Sequence, residues 1–234
     1  MAPVLYATAM SAPCRLVAMT ADCLGLDYDY RNINLMTGEQ MQPKFLSINP
    51  QHSLPTLVDG DIILNESRPI AGYLVNKYGK NDKLYPKDPV LRAKVDQRLY
   101  FDMGTFYQVK LFENLKLLSG RLEESILNSR LMRTTVSRFQ ALAPKILYPV
   151  VLGRGPMPGL AELDNMKEIL GWFEGFLKDG KFSAGTEYLT IAALSLLATY
   201  STMKACRIPG LDLAQYRGIE AWYQRCVKQI PNYE

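Results

Sequence analysis

The chain has 234 residues, 48% of them hydrophobic, and its 27 basic and 23 acidic side chains give a net charge of +4. That length allows one large domain or two small ones, and the interspersed charges contain no basic run of the kind that marks a nucleic-acid or lipid surface. No apolar segment approaches the roughly 20 residues a membrane helix needs, and the start MAPVLYATAMSAPCR has neither a basic head nor a long apolar run, so no signal peptide is expected.

In chain order, Pro3 to Thr8 reads as a buried strand. Ala12 to Leu24 reads as a helix, because Leu16, Val17, Met19, Thr20, Cys23 and Leu24 recur at three-to-four spacing. Tyr28 to Asn34 is a second strand, and Gly38 to Leu46 a weak helix or turn region. Thr56 to Asp59 and Ile62 to Asn65 predict a hairpin about Asp59-Gly60-Asp61. Glu66 to Tyr78 is a helix ending near Gly79. This β-α-β-α-β-β-α order predicts a small mixed sheet with helices on its faces over residues 1–80. The polar, proline-containing stretch 81–90 reads as a linker. Strand alternation is then lost over 91–234. The candidate helices are Val90 to Phe112, a region within Leu122 to Val150, Leu160 to Leu177, Thr190 to Arg207 and Leu213 to Gln229, an all-helical second domain.

The densest chemistry lies between Asn49 and Arg68, NPQHSLPTLVDGDIILNESR. A lone histidine, a Leu-Pro step and an acidic Glu-Ser-Arg helix start can together hold a small zwitterionic peptide by its backbone and both charged ends. The order of SAPCR at Ser11 to Arg15, Asn49 to Gly60, ESR at Glu66 to Arg68, LYPKDP at Leu84 to Pro89, DQRLYFDMGTFYQ at Asp96 to Gln108, LTIAALSLLA from Leu189 and the Trp222-Tyr223 helix resembles the arthropod glutathione transferases of the delta/epsilon kind. The resemblance covers nearly the whole chain. It implies a thioredoxin-like α/β domain followed by an all-α domain, reduced glutathione as co-substrate with no cofactor or metal, and small apolar electrophiles as second substrates. It also implies a homodimer, with no nucleic-acid or membrane partner.

Conjugation needs the glutathione thiolate, and a free thiol of pKa about 8.5 is only a few per cent ionised at pH 7. A hydroxyl that donates to the sulfur, at a helix N-terminus aimed at it, favours the anion. Ser11, directly before the first helix, fits that role in the resemblance; on its motif alone it reads as an ordinary N-cap. Tyr6 and Cys14 are rivals, the former read as core or pocket wall and the latter as packing. A reactive Cys14 would instead make a thiol reductase. The four cysteines lack Cys-x-x-Cys spacing, which argues against zinc and for a reducing cytosolic setting. The resemblance gives His52 the glycine carboxylate of glutathione, with Gln51 beside it, and implies a cis Leu54–Pro55 bond that lets the Leu54 backbone pair with the cysteinyl part. Ser67 would take the γ-glutamyl carboxylate and Glu66 its ammonium, with Arg68 and Asp102 extending the charge network; as structure alone, this is a capped helix. The electrophile pocket would be lined by Met10, Met103, Phe106, Tyr107 and Phe139, although a helical aromatic stripe is more often core.

Three departures stand out. Gln40 replaces a histidine common in the family, which leaves a hydrogen-bonding group without charge. Ala193 replaces the aspartate of a capping box, leaving Thr190 to cap alone. The 29-residue segment 109–137 is additional, carries Leu111, Leu115, Leu118, Leu122 and Ile126 at helical spacing, and has a break at Ser119-Gly120. It predicts a helical hairpin or partly disordered loop beside the electrophile pocket. The competing function is a carrier that holds glutathione or apolar ligands without turnover.

Overall fold

The structure, a computed structural model, describes residues 2–107, 160–208, 210–231 and 233. β1 (Val4–Ala7), α1 (Ala12–Leu24) and β2 (Asp29–Asn32) form a β-α-β unit with parallel strands. The weak helix expected over Gly38 to Leu46 resolves into a 3-10 turn at Glu39–Met41 and a one-turn helix, α2 (Pro43–Leu46). β3 (Thr56–Asp59) and β4 (Ile62–Asn65) make the expected hairpin, and α3 (Ser67–Tyr78) follows. The sheet order is β2-β1-β3-β4, with β3 antiparallel to both neighbours, the mixed thioredoxin-like arrangement anticipated above.

α1 starts and stops for local reasons. Ser11 is extended and its Oγ accepts from the Cys14 amide at 3.4 Å. Pro13 sits in the first turn, where its missing N–H is not needed. Gly25 closes the helix at φ 62°, a left-handed conformation that a glycine adopts without a Cβ penalty. The helix serves two cores. Cys14, Val17 and Ala21 pack on the sheet side with Leu5, Leu57 and Ile70, while Ala12, Leu16 and Met19 belong to the helical core. Each fully buried Leu or Val stabilises the fold by about 1.5–3 kcal/mol relative to exposure.

The second half is helical in its described residues: α4 (Pro89–Phe101), α5 (Leu160–Phe176), α6 (Ile191–Cys206) and α7 (Arg217–Val227). Asp88 caps α4 by accepting from the Leu91 amide at 2.8 Å. α6 is apolar nearly all round and buried from Ile191 to Tyr200, which marks it as the central helix. Phe106, Phe173, Tyr200 and Trp222 pack ring against ring around it. Glu174 on α5 accepts from the Gly218 and Ile219 amides at 2.7 and 2.8 Å, an anion at the positive end of α7. The 81–90 stretch is tied at Leu84 and Tyr85 to two helices, α6 and α4. The Leu84 carbonyl accepts from the Ile191 amide at 2.8 Å, and the Tyr85 hydroxyl donates to Asp96 at 2.9 Å. The Tyr85 ring lies so close to Gly72 that a Cβ there would meet it at 3.0 Å, so an alanine would require the ring to give way by a few tenths of an ångström.

Two sequence expectations change here. The helix expected from Val90 to Phe112 is α-helical to Phe101, widens into a π-turn over Asp102–Phe106 and is α-helical again at Tyr107. The widening begins at Asp102, whose buried carboxylate is gripped from both α3 and α6. The remainder of that helix, the helix expected within Leu122 to Val150, segment 109–137 and Phe139 lie outside the described residues. Thr190 holds the N-cap position of α6, but its hydroxyl makes no cap bond; Oγ1 is buried without a partner among the described residues, and Ala193 is completely buried. A buried unpaired hydroxyl costs about 1–3 kcal/mol. Thr190→Val is therefore expected to raise Tm, by about 2–4 °C per kcal/mol recovered, in a thermal melt; a lower Tm would show that the hydroxyl is in use.

Asp59, at the end of β3, gathers three donors on one carboxylate oxygen: Lys77 Nζ at 2.8 Å, Tyr78 at 2.7 Å and Tyr73 at 2.9 Å. Burial pushes its pKa up, but the hydrogen bonds from Lys77, Tyr78 and Tyr73 outweigh it and hold the carboxyl below its ordinary value. A depressed folded pKa gives stability that is present above the unfolded value of about 3.9 and is lost as pH falls through the folded one. Acid unfolding curves of Asp59→Asn should accordingly be flatter below about pH 4 than those of the parent. Parallel curves would remove Asp59 from the account.

Candidate functional site

The register of the sheet assembles the candidate site. Tyr6 on β1 pairs with Thr56 on β3, and Thr56 pairs with Asn65 on β4. The chain therefore leaves β1 towards Ser11, enters β3 from Leu54–Pro55 and leaves β4 into Glu66–Ser67 at one end of the sheet. Three segments far apart in sequence meet there because neighbouring strands alternate in direction.

Ser11 is partly buried, and capping α1 uses an acceptor lone pair of its hydroxyl and not its proton. The next segment is organised by Asn49, which is 3% exposed. Its Nδ2 donates to the Ser53 carbonyl at 3.1 Å and to Thr56 Oγ1 at 2.9 Å, and its Oδ1 accepts from the Gln51 amide at 3.0 Å. The His52 amide donates to the Asn49 carbonyl at 2.9 Å. This frame holds His52 at φ 46°, half-buried, with Gln51 exposed beside it. The Leu54–Pro55 bond is cis, as the resemblance implied.

Glu66 precedes α3 at φ 68° and ψ 113°, a backbone conformation that costs a residue with a side chain about 1–3 kcal/mol. Its side chain is exposed and makes no cap bond, so the positive end of α3 is not taken up by Glu66. Ser67, at the first helical position, is buried. Thus, among the described residues, two of the three non-glycine residues at positive φ, His52 and Glu66, are proposed ligand contacts; the third, Arg207, ends α6. Backbone strain of this kind gathers at ligand clamps.

Behind this helix start lies a buried charge network. The Arg68 guanidinium pairs with Asp102 and also donates to the Leu99 carbonyl at 3.2 Å. Asp102 is 1% exposed and accepts from Ser195 Oγ at 2.5 Å and Thr199 Oγ1 at 2.7 Å. Its two oxygens thus join α3, the π-turn and α6, so the segment bearing Glu66 and Ser67 is anchored to the helical core.

The rivals for Ser11 sit in different surroundings. The Tyr6 hydroxyl accepts from Arg31 at 3.2 Å and its ring meets Phe45 edge-on at 5.7 Å. Cys14 is 1% exposed, and burial pushes its thiol up to about 11, opposite to what a reactive thiolate needs. Gln40 is buried, and its Oε1 has no hydrogen-bond partner among the described residues. The expected electrophile residues are scattered. Met103 lines a groove of about 620 Å³ between α3 and α4 together with Glu66, Arg68 and Tyr100. Met10 is 48% exposed on the loop before Ser11, and Tyr107 is half-buried. Phe106 is 1% exposed and belongs to the aromatic core with Phe101 and Phe173. Among the described residues no group of His, Cys, Asp and Glu side chains could hold a metal, and no helix is long and apolar enough to cross a membrane.

Sequence reasoning missed Asn49, Ser195 and Thr199 as supports of the site. Each left a signal: Asn49 opens an Asn-Pro turn, and Ser195 and Thr199 are four apart on one face of an otherwise apolar helix, where an unpaired hydroxyl would be costly.

The comparisons with known proteins agree with this geometry. The family model of the glutathione S-transferase N-terminal domain matches residues 5–82. Glutathione S-transferase D7 of Anopheles gambiae is 36% identical over 233 residues, covering 100% of this chain and 89% of that protein. Bombyx mori glutathione transferase BmGSTD1 superposes with a TM-score of 0.76 at 36% identity, over 100% of this chain and 90% of that one. A glutathione transferase homologue of Drosophila mojavensis with bound glutathione gives a TM-score of 0.74 at 34% identity, over 99% and 90%. The chain, with its four-stranded thioredoxin-like sheet and helical second half, belongs to the glutathione S-transferase family.

Proposed function

We infer that this protein conjugates reduced glutathione to hydrophobic electrophiles, as in detoxification, and that Ser11 stabilises the thiolate. The observation that carries the reading is the meeting of Ser11, Leu54–Pro55 and Glu66–Ser67 at one end of the sheet. The glutathione-bound Drosophila mojavensis homologue supports it. His52 takes the glycine carboxylate, with Gln51 beside it. The Leu54 backbone, ahead of Pro55, pairs with the cysteinyl part. The open start of α3 at Ser67 takes the γ-glutamyl carboxylate, and Glu66 takes its ammonium. Arg68 and Asp102 hold that helix start in place. The thiol proton goes to solvent, the sulfur lone pair forms the bond to the electrophilic carbon, and the leaving group departs with its electron pair. Ser11, far too weak a base to take the proton, lowers the energy of the anion by donating to it.

Glutathione is a co-substrate here, and no cofactor takes part. Met10, Met103 and Tyr107 flank the electrophile, with Phe139 as a further wall residue, while Phe106 stays in the aromatic core. A homodimer belongs to the same reading, supported by the family resemblance and by Tyr100, which stands 67% exposed over the α3–α4 groove. Four free cysteines fit a reducing cytoplasm.

The test is turnover of glutathione with a chloronitroaromatic electrophile, followed by thioether formation. Steady conjugation is the expected result. Glutathione binding by the folded protein without turnover would instead support a carrier, the reading that Gln40 in place of a histidine favours.

A further inference from the structure

Arg15 lies one helical turn beyond Ser11 on α1, and its amide donates to the Ser11 carbonyl at 3.0 Å. Its guanidinium reaches in two directions. Nη1 donates to the carbonyl of Ala9 at 2.7 Å, on the loop that carries Ser11. Nη2 donates to the Ala198 carbonyl at 2.6 Å and to Thr202 Oγ1 at 2.5 Å, both on α6. Thr202 is itself fixed by donating to the Ala198 carbonyl at 2.9 Å. Among the described residues Arg15 forms no ion pair with a carboxylate, and its guanidinium donates to neutral acceptors. The Thr8–Ser11 loop is otherwise held by the Ser11 amide donating to the Thr8 carbonyl at 3.1 Å, while Ala9 and Met10 are exposed.

We propose that Arg15 is a positioning residue for the transferase reaction, clamping the Ala9–Ser11 loop to α6 so that the Ser11 hydroxyl is held towards the glutathione sulfur. The inference rests on the Ser11 reading above and deepens it: the helical half sets the aim of a hydroxyl belonging to the sheet half. The planar fork of arginine suits the task, since two nitrogens serve two elements at fixed angles; a lysine ammonium on its flexible stem keeps the charge and loses that geometry. Misplacing a reacting group by about 1 Å can cost on the order of a hundredfold in rate.

The experiment compares the full-length parent with Arg15→Lys, Thr202→Val, Ser11→Ala and the Ser11→Ala/Arg15→Lys double variant, each by kcat, KM for glutathione and the pH profile of kcat/KM. Arg15→Lys is expected to lower kcat about ten- to a hundredfold while KM for glutathione stays within about twofold. The apparent pKa of the profile should move up, towards that of free glutathione. Thr202→Val, which keeps the arginine, should move both quantities in the same direction by less. In the Ser11→Ala background Arg15→Lys should add almost nothing, because the two act through one hydroxyl.

A lower melting temperature with an unmoved pH profile would make Arg15 merely structural and overturn the proposal. A full Arg15→Lys effect in the Ser11→Ala background would overturn it too. If Arg15→Lys does not fold, Thr202→Val decides alone, and an unchanged kcat and profile there would overturn the clamp. If Ser11→Ala itself leaves the profile unmoved, the serine reading fails and the proposal falls with it. If Ser11→Ala moves the profile and the folded Arg15 and Thr202 variants do not, only the proposal fails.

Discussion

Replacing Asp102 with alanine is expected to destabilise the protein by about 3–5 kcal/mol, the scale seen when one partner of a buried ion pair is removed. The side chain of Asp102 is 1% exposed and that of its partner Arg68 14% exposed, so the arginine cannot regain full hydration without moving. Ser195 and Thr199 would lose their acceptor in the same step. Since the same network anchors the start of α3, KM for glutathione should rise alongside the loss of stability. Denaturant unfolding and the glutathione dependence of the rate measure the two effects. Asp102→Asn should be milder in stability, because the amide keeps the shape and one acceptor but not the charge. A loss below about 1 kcal/mol for the alanine variant would mean that the pair contributes no more than an exposed surface pair.

Ser11→Ala should reduce kcat by about a hundred- to a thousandfold, the range for removing one donor to a developing or stabilised anion. KM for glutathione should change little, since the peptide is held by His52, Leu54, Glu66 and Ser67. The substitution also removes an N-cap, worth about 0.5–2 kcal/mol of stability. The two effects separate by temperature: a capping defect recedes on cooling well below the melt, whereas the loss of the donor remains. Full activity in a folded Ser11→Ala variant would return attention to Tyr6, whose hydroxyl accepts from Arg31 and keeps its proton to donate, and to Cys14, whose thiol is raised by burial.

Much of this arrangement was readable in the sequence, for identifiable reasons. α1 and the β3–β4 hairpin appear at their expected bounds because an N-capping serine, a left-handed glycine and a glycine turn are local signals. The widening over Asp102–Phe106 left no mark in the helical periodicity, because it accompanies a tertiary grip on Asp102. Phe106 illustrates the ambiguity of an aromatic stripe: spacing alone does not distinguish a pocket wall from the core, and its side chain sits among Phe101 and Phe173. Thr190 has the residue type and backbone of a cap but no cap bond, which depends on hydroxyl orientation and not on sequence. Arg15 was visible as part of SAPCR, but its acceptors on α6 lie 183 and 187 residues away in the chain. Contacts at that separation leave no local pattern.

The central claim is that this protein stabilises the thiolate of bound glutathione through Ser11. Its most direct test is titration of the bound thiol by thiolate ultraviolet absorbance, in the parent and in Ser11→Ala. The account predicts ionisation clearly below the free-thiol value of about 8.5 in the parent, and a return towards that value in the variant. A parent-bound thiol titrating at or above about 8.5, or one equally depressed without the serine hydroxyl, would contradict it.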